Sequence, residues 1–178
     1  MSENKILNDY STFLIEKASN LNDFQLEWII EIERTCKLSK WSRQDYRDES
    51  NRKNSLFLIA RKTIRKPAEN TEIVGFILFR VNGMDETKKN AGSLCIEADL
   101  LNFGVTEKFQ KQGIGNALFV QSQLRLSDLK AASIWLEVRE SNIYAIRFYE
   151  KKGFRIIQIR KNFYSQPIEN ALLMKLEM

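Results

Sequence analysis

The chain has 178 residues, of which 43% are hydrophobic and 29% are charged, and its formal net charge is +5. This composition is typical of one folded soluble domain, and it excludes a disordered chain. No apolar run approaches the roughly 20 residues that a membrane-spanning helix needs. The amino terminus also lacks the basic and then apolar order of a secretory signal. We therefore expect a cytoplasmic protein that does not bind a membrane.

The residue types that are present limit the chemistry that the chain can perform. It contains two cysteines, Cys36 and Cys95, and no histidine. No metal is predicted, because zinc usually binds through cysteine and histidine together. Acid and base roles must fall to Glu, Asp, Tyr, Lys or water. Charges of both signs are interspersed, so the positive excess does not predict direct nucleic-acid binding.

Helical and strand-like periods follow one another along most of the chain. Residues 1–20 show no sustained period and are interpreted as an amino-terminal extension with one short helix or strand, before a single domain over 21–178. The predicted helices cover 22–38, 42–52, 116–130 and 142–152. The predicted strands cover 56–60, 73–81, 94–105, 133–138, 154–159 and 171–176. Polar connections are predicted at 63–72, 82–92 and 160–169.

Capping residues mark the ends of several predicted helices. Asn22 or Asp23 can cap the first helix, and Ser42, three residues before an aspartate, resembles the start of a capping box. Gly153 ends the last helix in the position that a C-cap prefers. The order strand, helix, strand, helix over 94–152 predicts a parallel crossover. The pattern therefore indicates an α/β domain with a mixed sheet.

A glycine-rich segment, Gln110–Gly115, lies between an apolar strand that ends at Val105 and the third predicted helix. Small residues let backbone N–H groups approach an anion, and the start of a helix adds unpaired donors and the positive end of its dipole. The segment therefore fits a cradle for a pyrophosphate. A glycine-rich turn that only begins a helix also explains these residues.

A second motif follows this segment at a defined distance. The pattern Gln/Arg-x-x-Gly-x-Gly/Ala is matched by Gln110, Gly113 and Gly115. The pattern Tyr-x-x-x-Gly-Phe, after a further strand, is matched by Tyr149, Gly153 and Phe154. With both motifs the chain resembles the GNAT family of N-acetyltransferases over about residues 22–178. The resemblance implies the GNAT fold, an α/β fold whose mixed, mostly antiparallel sheet has about seven strands and whose main helices number four.

Within that family the chain is most similar to the RimI type, bacterial enzymes that acetylate the terminal alanine of a ribosomal protein. The likeness is carried by Trp41-Ser42, by Leu-Glu-Val-Arg-x-Ser-Asn at 136–142 and by Arg-Lys-Asn-Phe-Tyr at 160–164. It implies an acetyl-CoA-dependent enzyme that acetylates a protein N-terminus by direct transfer. A small-subunit ribosomal protein is then the expected partner.

The resemblance also implies which residues bind the cofactor. Backbone amides of the glycine loop would contact the pyrophosphate of acetyl-CoA, and backbone groups of the preceding strand would pair with the pantetheine arm like an added strand. The implied cofactor-binding residues are Phe103, Gly104, Val105, Lys111, Gln112, Gly113, Ile114, Gly115, Asn116 and Asn142. The amide of Val105 is, in addition, a candidate oxyanion donor.

Two residues take catalytic roles by the same resemblance. Glu137 interrupts an apolar strand and would accept the ammonium proton, directly or through water; the alternative is a solvated carboxylate on the outer face of the strand. Tyr149 would donate a proton to the sulfur of the coenzyme; the alternative is an aromatic residue of the core. Both alternatives stay open from the residues alone.

The segments that would contact the acceptor depart from the RimI pattern. Trp41 and Tyr164 would contact the acceptor, in the segments 38–42 and 160–166. Ser39-Lys40 stands where the RimI type usually carries apolar and proline residues, so a small-molecule amine is an alternative acceptor. A non-catalytic acyl-CoA-binding module is a further alternative. An α-amino group has a pKa near 8 and a lysine one near 10.4, which favours a protein terminus with a single glutamate as base.

Overall fold

A computed structural model describes residues 5–8, 11–63, 72–83 and 95–178. The predicted α/β class and the four main helices are confirmed, and the sheet of the described residues has eight strands, one more than predicted. The connections predicted at 63–72 and 82–92 lie mostly outside the described residues. The helices are α1 (Asp23–Thr35), α2 (Arg43–Asn51), α3 (Ile114–Asp128) and α4 (Ile143–Lys151). The strands are β1 (Lys5–Asn8), β2 (Ser11–Lys17), β3 (Ser55–Thr63), β4 (Glu72–Asn82), β5 (Ile96–Val105), β6 (Ala131–Arg139), β7 (Arg155–Ser165) and β8 (Ile168–Glu177).

The strands form one mixed sheet in the order β1-β2-β3-β4-β5-β6-β8-β7. The pair β5 and β6 is parallel, and α3 connects these two strands, which confirms the predicted crossover. The pairs β1/β2, β2/β3, β6/β8 and β7/β8 are antiparallel. Residues 1–20, interpreted as an extension, contain β1 and β2, and β2 pairs with β3 from Thr12 to Lys17.

The chain divides into two compact units. The first comprises Met1–Phe79 and Asn102–Arg125, and the second comprises Arg80–Leu101 and Leu126–Met178. In the core of the first unit three buried rings pack with centroids 5.7 to 6.1 Å apart, and such pairs contribute about 0.5–1.5 kcal/mol each beyond their burial. These rings are Tyr46, Phe57 and Phe76. The buried apolar residues of the second unit include Ile134, Leu136, Val138, Ile146, Phe154 and Met174.

Side-chain caps explain where three of the helices begin. Asn22 and Gln25 form a reciprocal capping box at α1, so Asn22 is the cap. Ser42 and Asp45 form another at α2, as predicted. Asn142 caps α4 by accepting a hydrogen bond from the backbone of residue 145 at 3.2 Å. Each cap stabilises its helix by about 1 kcal/mol.

Several boundaries differ from the prediction, and two of them lie near the candidate site. Helix α3 begins at Ile114, two residues before the predicted start, since the glycines were assigned to the loop. Strand β7 continues to Ser165 and β8 begins at Ile168, so the connection predicted at 160–169 is wrong except at residues 166–167. The cause is a bulge in which residues 161–163 lie opposite Asn170 alone, because this bulge breaks the two-residue alternation of a strand.

Gly104 lies in β5 against residues of α1 and the segment that follows it. A Cβ at this position would come within 2.8 Å of Ile32 Cγ2 and 3.0 Å of Leu38 Cδ1. We expect Gly104→Ala to lower the free energy of unfolding by about 1–3 kcal/mol, because the packed side chains must shift. Urea denaturation measures this. Gly115→Ala is the control with a smaller expected loss, since its Cβ would come no closer than 3.3 Å to another atom and lies in a helix. Equal midpoints for the two variants would contradict the expectation.

Candidate functional site

The glycine loop of the first unit begins with a 3₁₀ turn, Glu107–Phe109, and ends at the start of α3. Lys111 and Gly113 both adopt positive φ angles, 59° and 84°. The backbone N–H of Ala117 donates to the Gly113 carbonyl at 2.9 Å, which is the first hydrogen bond of the helix. The N–H groups of Ile114 and its successor precede this bond and therefore have no partner within the helix.

Side chains brace this loop against the strand before it. The amide of Gln110 donates to the Val105 carbonyl at 2.9 Å, and the Cys36 thiol donates to the same oxygen at 3.3 Å. The side chain of Gln112 donates to the carbonyl of Lys108 at 3.0 Å. The signature glutamine therefore closes the loop back onto the end of β5, a role that its sequence motif did not reveal.

The loop fits a phosphate group. Apart from Gly113 itself and its two chain neighbours, no atom of the described residues lies within 4 Å of the place where a Cβ at Gly113 would stand, so the backbone is open on that side. The first turn of α3 carries no acidic residue, and Lys111 is exposed. Open backbone donors at the positive end of a helix, without a competing carboxylate, are the usual setting for an anion.

We expect Gly113→Ala to weaken binding of coenzyme A by about tenfold or more, which corresponds to about 1.4 kcal/mol. The new Cβ would fill the open side of the loop, and the left-handed backbone would cost about 1–2 kcal/mol of stability. Titration calorimetry with coenzyme A measures the affinity. Gly153→Ala is the matched control, because it imposes the same kind of strain at φ 93° in the second unit. Equal affinities for both variants would contradict the assignment of the loop.

In the second unit, β6 carries Glu137, whose side chain is 29% exposed. Its Oε1 accepts a hydrogen bond from Nη1 of Arg160 on β7, and the two groups form an ion pair. The Tyr164 hydroxyl approaches the main-chain carbonyl of Glu137 at 3.5 Å. Glu137 is therefore a partly exposed carboxylate that is paired with Arg160.

Tyr149 lies on α4 and is 8% exposed. Its ring packs against Phe148 and Phe154, with centroids 5.6 and 5.5 Å away. Burial, and to a lesser extent the neighbouring Tyr164, raise the pKa of the Tyr149 phenol above its ordinary value. The phenol is thus protonated at neutral pH and can donate a proton. It is a core aromatic residue and a candidate acid at the same time.

Tyr164 is half-buried and is held by charged neighbours. The guanidinium carbon of Arg139 lies 4.0 Å from its ring centroid, and Nη1 of Arg139 bonds the Glu169 carboxylate at 3.0 Å. Glu169 also accepts the backbone N–H of Ser141 at 2.7 Å, immediately before the cap of α4. Burial and the charge of Glu137 raise the pKa of Tyr164, so its hydroxyl is neutral near pH 7.

Trp41 is held by a buried polar network in the first unit. Its backbone N–H donates to Oε2 of Glu33 at 2.9 Å, and the hydroxyl of Tyr46 donates to the same oxygen at 2.6 Å. The side chain of Asn102 donates to the Tyr46 hydroxyl at 3.0 Å and to the Ser39 carbonyl at 3.1 Å. The segment predicted to contact the acceptor is therefore fixed by a carboxylate on α1.

Two residues of these clusters were missed from sequence. Glu33 stands four residues after Ile29, so its spacing places a charge on the apolar face of α1, and this signal was available. Arg160 lies in a segment that was predicted to be a connection, and no local pattern indicated its pairing with Glu137.

Across 5–8, 11–63, 72–83 and 95–178, no group of three His, Cys, Asp or Glu side chains could hold a metal ion. No helix in the described part of the chain is long and apolar enough to cross a membrane.

Comparisons with known proteins place the chain in a family. The model of the Acetyltransferase (GNAT) family matches residues 26–154. The ribosomal protein bS18-alanine N-acetyltransferase of Haemophilus influenzae is 32% identical over 160 residues, which cover 88% of this chain and 94% of that protein. The chain therefore belongs to the GNAT family and is an N-acetyltransferase, as the sequence motifs predicted.

Solved structures agree with this fold. The ribosomal-protein-S18-alanine N-acetyltransferase from Escherichia coli matches with a TM-score of 0.68 and 28% identity, over 93% of each chain. NAA60 from Arabidopsis thaliana in complex with acetyl-CoA matches with a TM-score of 0.78, over 94% of this chain and 99% of that one. At 19% identity the second likeness shows the fold alone.

Proposed function

We propose that this chain transfers the acetyl group of acetyl-CoA to the α-amino group of a protein N-terminus, with the terminal alanine of a small-subunit ribosomal protein as its acceptor. The observation that carries the proposal is the likeness to an enzyme of that activity over 88% of this chain and 94% of the relative. An acceptor made on ribosomes places the reaction in the cytoplasm.

The cofactor would be held mainly by backbone groups of the first unit. Amides of Lys111–Asn116 would bind the pyrophosphate, and the open side of Gly113 supports this role. The last register pair of the β5/β6 ladder is Leu100 with Leu136, so Phe103–Val105 lie beyond it, where their backbone groups would pair with the pantetheine arm. When bound, acetyl-CoA supplies the acetyl group as a thioester.

Three groups would carry the chemistry. Glu137 would accept the proton of the acceptor ammonium, directly or through water, and a terminal amine with a pKa near 8 releases that proton readily. The N–H of Val105 would donate a hydrogen bond to the thioester oxygen. Tyr149, whose phenol is protonated at neutral pH, would donate its proton to the departing sulfur. Asn142 would add a polar contact to the cofactor while it caps α4.

The acceptor would lie against Trp41 and Tyr164. Both side chains are half-buried; the Trp41 ring packs against Tyr46 with centroids 5.5 Å apart, and the Tyr164 ring centroid lies 4.0 Å from the guanidinium carbon of Arg139. A side chain that is held in this way loses little entropy when a peptide binds against it. This rigidity supports a peptide acceptor.

The test is turnover of the purified full chain with acetyl-CoA and a peptide that has the terminus of the organism's own bS18 protein. Release of the coenzyme thiol and fragmentation mass spectrometry together show the rate and the acetylated nitrogen. The matched control is the same peptide with a formylated terminus and an internal lysine. Acetylation of the lysine alone, or turnover only with polyamines or aminoglycosides, would contradict the proposal.

A further inference from the structure

The carboxylate of Glu137 is held by an extended cluster within the second unit. Its Oε1 is bound by Arg160, whereas its Oε2 makes no hydrogen bond to the described residues. The guanidinium carbon of Arg160 lies 4.3 Å from the centroid of the Phe163 ring. One carboxylate oxygen is therefore fixed by a cation that is itself fixed by a ring.

The bulge in β7 brings that cation and that ring together. Residues three apart on a regular strand point to opposite faces, so Arg160 and Phe163 would not meet. Here residues 161–163 lie opposite Asn170 alone, and Asn162 has a φ of 53°. The backbone N–H of Asn162 donates to the side chain of Asn170 at 3.0 Å, and that side chain donates to Glu140 at 2.9 Å. The bulge is thus anchored by specific hydrogen bonds.

The cluster continues from the ring. Phe163 packs edge-on against Tyr164 with centroids 5.2 Å apart, and Tyr164 lies 4.0 Å from the guanidinium of Arg139. The guanidinium of one arginine therefore lies over each ring: Arg160 over Phe163 and Arg139 over Tyr164. Because a planar guanidinium can stack on a ring and bond a carboxylate at once, whereas an ammonium is a compact point charge, this arrangement favours arginine over lysine at position 160.

We propose that Arg160 is a positioning residue for acetyl transfer. Its guanidinium holds Oε1 of Glu137 and so presents Oε2 to the proton of the acceptor amine. The inference rests on the proposed role of Glu137 as base. It assigns a purpose to the β7 bulge, which brings Arg160 and Phe163 together.

The first measurement is the steady-state kinetics of Arg160→Gln with the acceptor peptide. We expect kcat to fall about tenfold, since a displaced catalytic group costs at least that much, while the KM for acetyl-CoA is unchanged. Arg160→Lys keeps the charge without the planar stacking and is expected to restore part of the rate. The control is Arg155→Gln, which removes the same charge from an exposed arginine at the start of the same strand and is expected to leave kcat unchanged.

The second measurement separates action through Glu137 from any other action. In a Glu137→Gln background, Arg160→Gln is expected to cause no further loss, because the group that it positions is already gone. A further tenfold loss in that background would overturn the proposal, as would an unchanged kcat for Arg160→Gln alone. If the glutamine variant does not fold, Arg160→Lys carries the same comparison. Absence of turnover by the unmodified protein would instead refute the proposed function.

Discussion

Glu137→Gln is expected to lower kcat for the acceptor peptide by at least about 100-fold, the usual contribution of a general base. Glutamine has nearly the same shape and can still accept a hydrogen bond from Arg160, so the surrounding cluster should persist. The measurement is steady-state turnover at saturating acetyl-CoA, with the affinity for coenzyme A determined in parallel and expected to be unchanged.

A matched control for this substitution is Glu140→Gln. Glu140 is exposed, accepts a hydrogen bond from Asn170 and has no proposed role in proton transfer. Its variant should turn over at nearly the rate of the unmodified chain. If both glutamate variants keep the full rate, Glu137 is not the base.

Tyr149→Phe is expected to lower kcat by about 10²-fold, because the departing sulfur loses its proton donor. The phenol makes no hydrogen bond to the described residues, so its loss should change stability little. The raised pKa keeps the Tyr149 phenol protonated well above neutral pH. The ratio of the two rates should therefore be constant from about pH 6.5 to about pH 8.5, a range over which an unperturbed tyrosine with a pKa near 10 is also mostly protonated.

The measurement is the pH profile of kcat for the unmodified protein and for the Tyr149→Phe variant. Tyr144→Phe is the control, because Tyr144 lies on the same helix and is 84% exposed. Equal rates for Tyr149→Phe and Tyr144→Phe would show that another group protonates the sulfur.

Local signals in the sequence were sufficient for most of the fold. The cap at Ser42 was predicted, and Asn22 was one of two candidates for the first helix, because each cap is formed by residues within three positions of one another. The parallel crossover follows from the order of elements. The sequence predicted too short a strand for β7, because the bulge in this strand depends on Asn170, which belongs to the next strand.

The candidate site shows the same limit. The glycine loop and the position of Tyr149 were accessible through motifs, since each motif is contiguous. The pairing of Arg160 with Glu137 joins residues 23 positions apart, and the bond of Asn102 to Tyr46 joins residues 56 apart. Contacts between residues so far apart depend on tertiary packing. A local hydrophobic period in the sequence does not predict them. The steric demand on Gly104 likewise comes from α1.

The segment around Trp41 is anchored through main-chain atoms: the amide of Trp41 on Glu33 and the carbonyl of Ser39 on Asn102. The side chains of Ser39 and Lys40 are exposed and take no part in that anchorage. Substitutions at these two positions should therefore leave the main-chain hydrogen bonds of the segment intact. Under the proposed contact of this segment with the acceptor, exchange of residues 39 and 40 would change the acceptor preference and leave the fold unchanged.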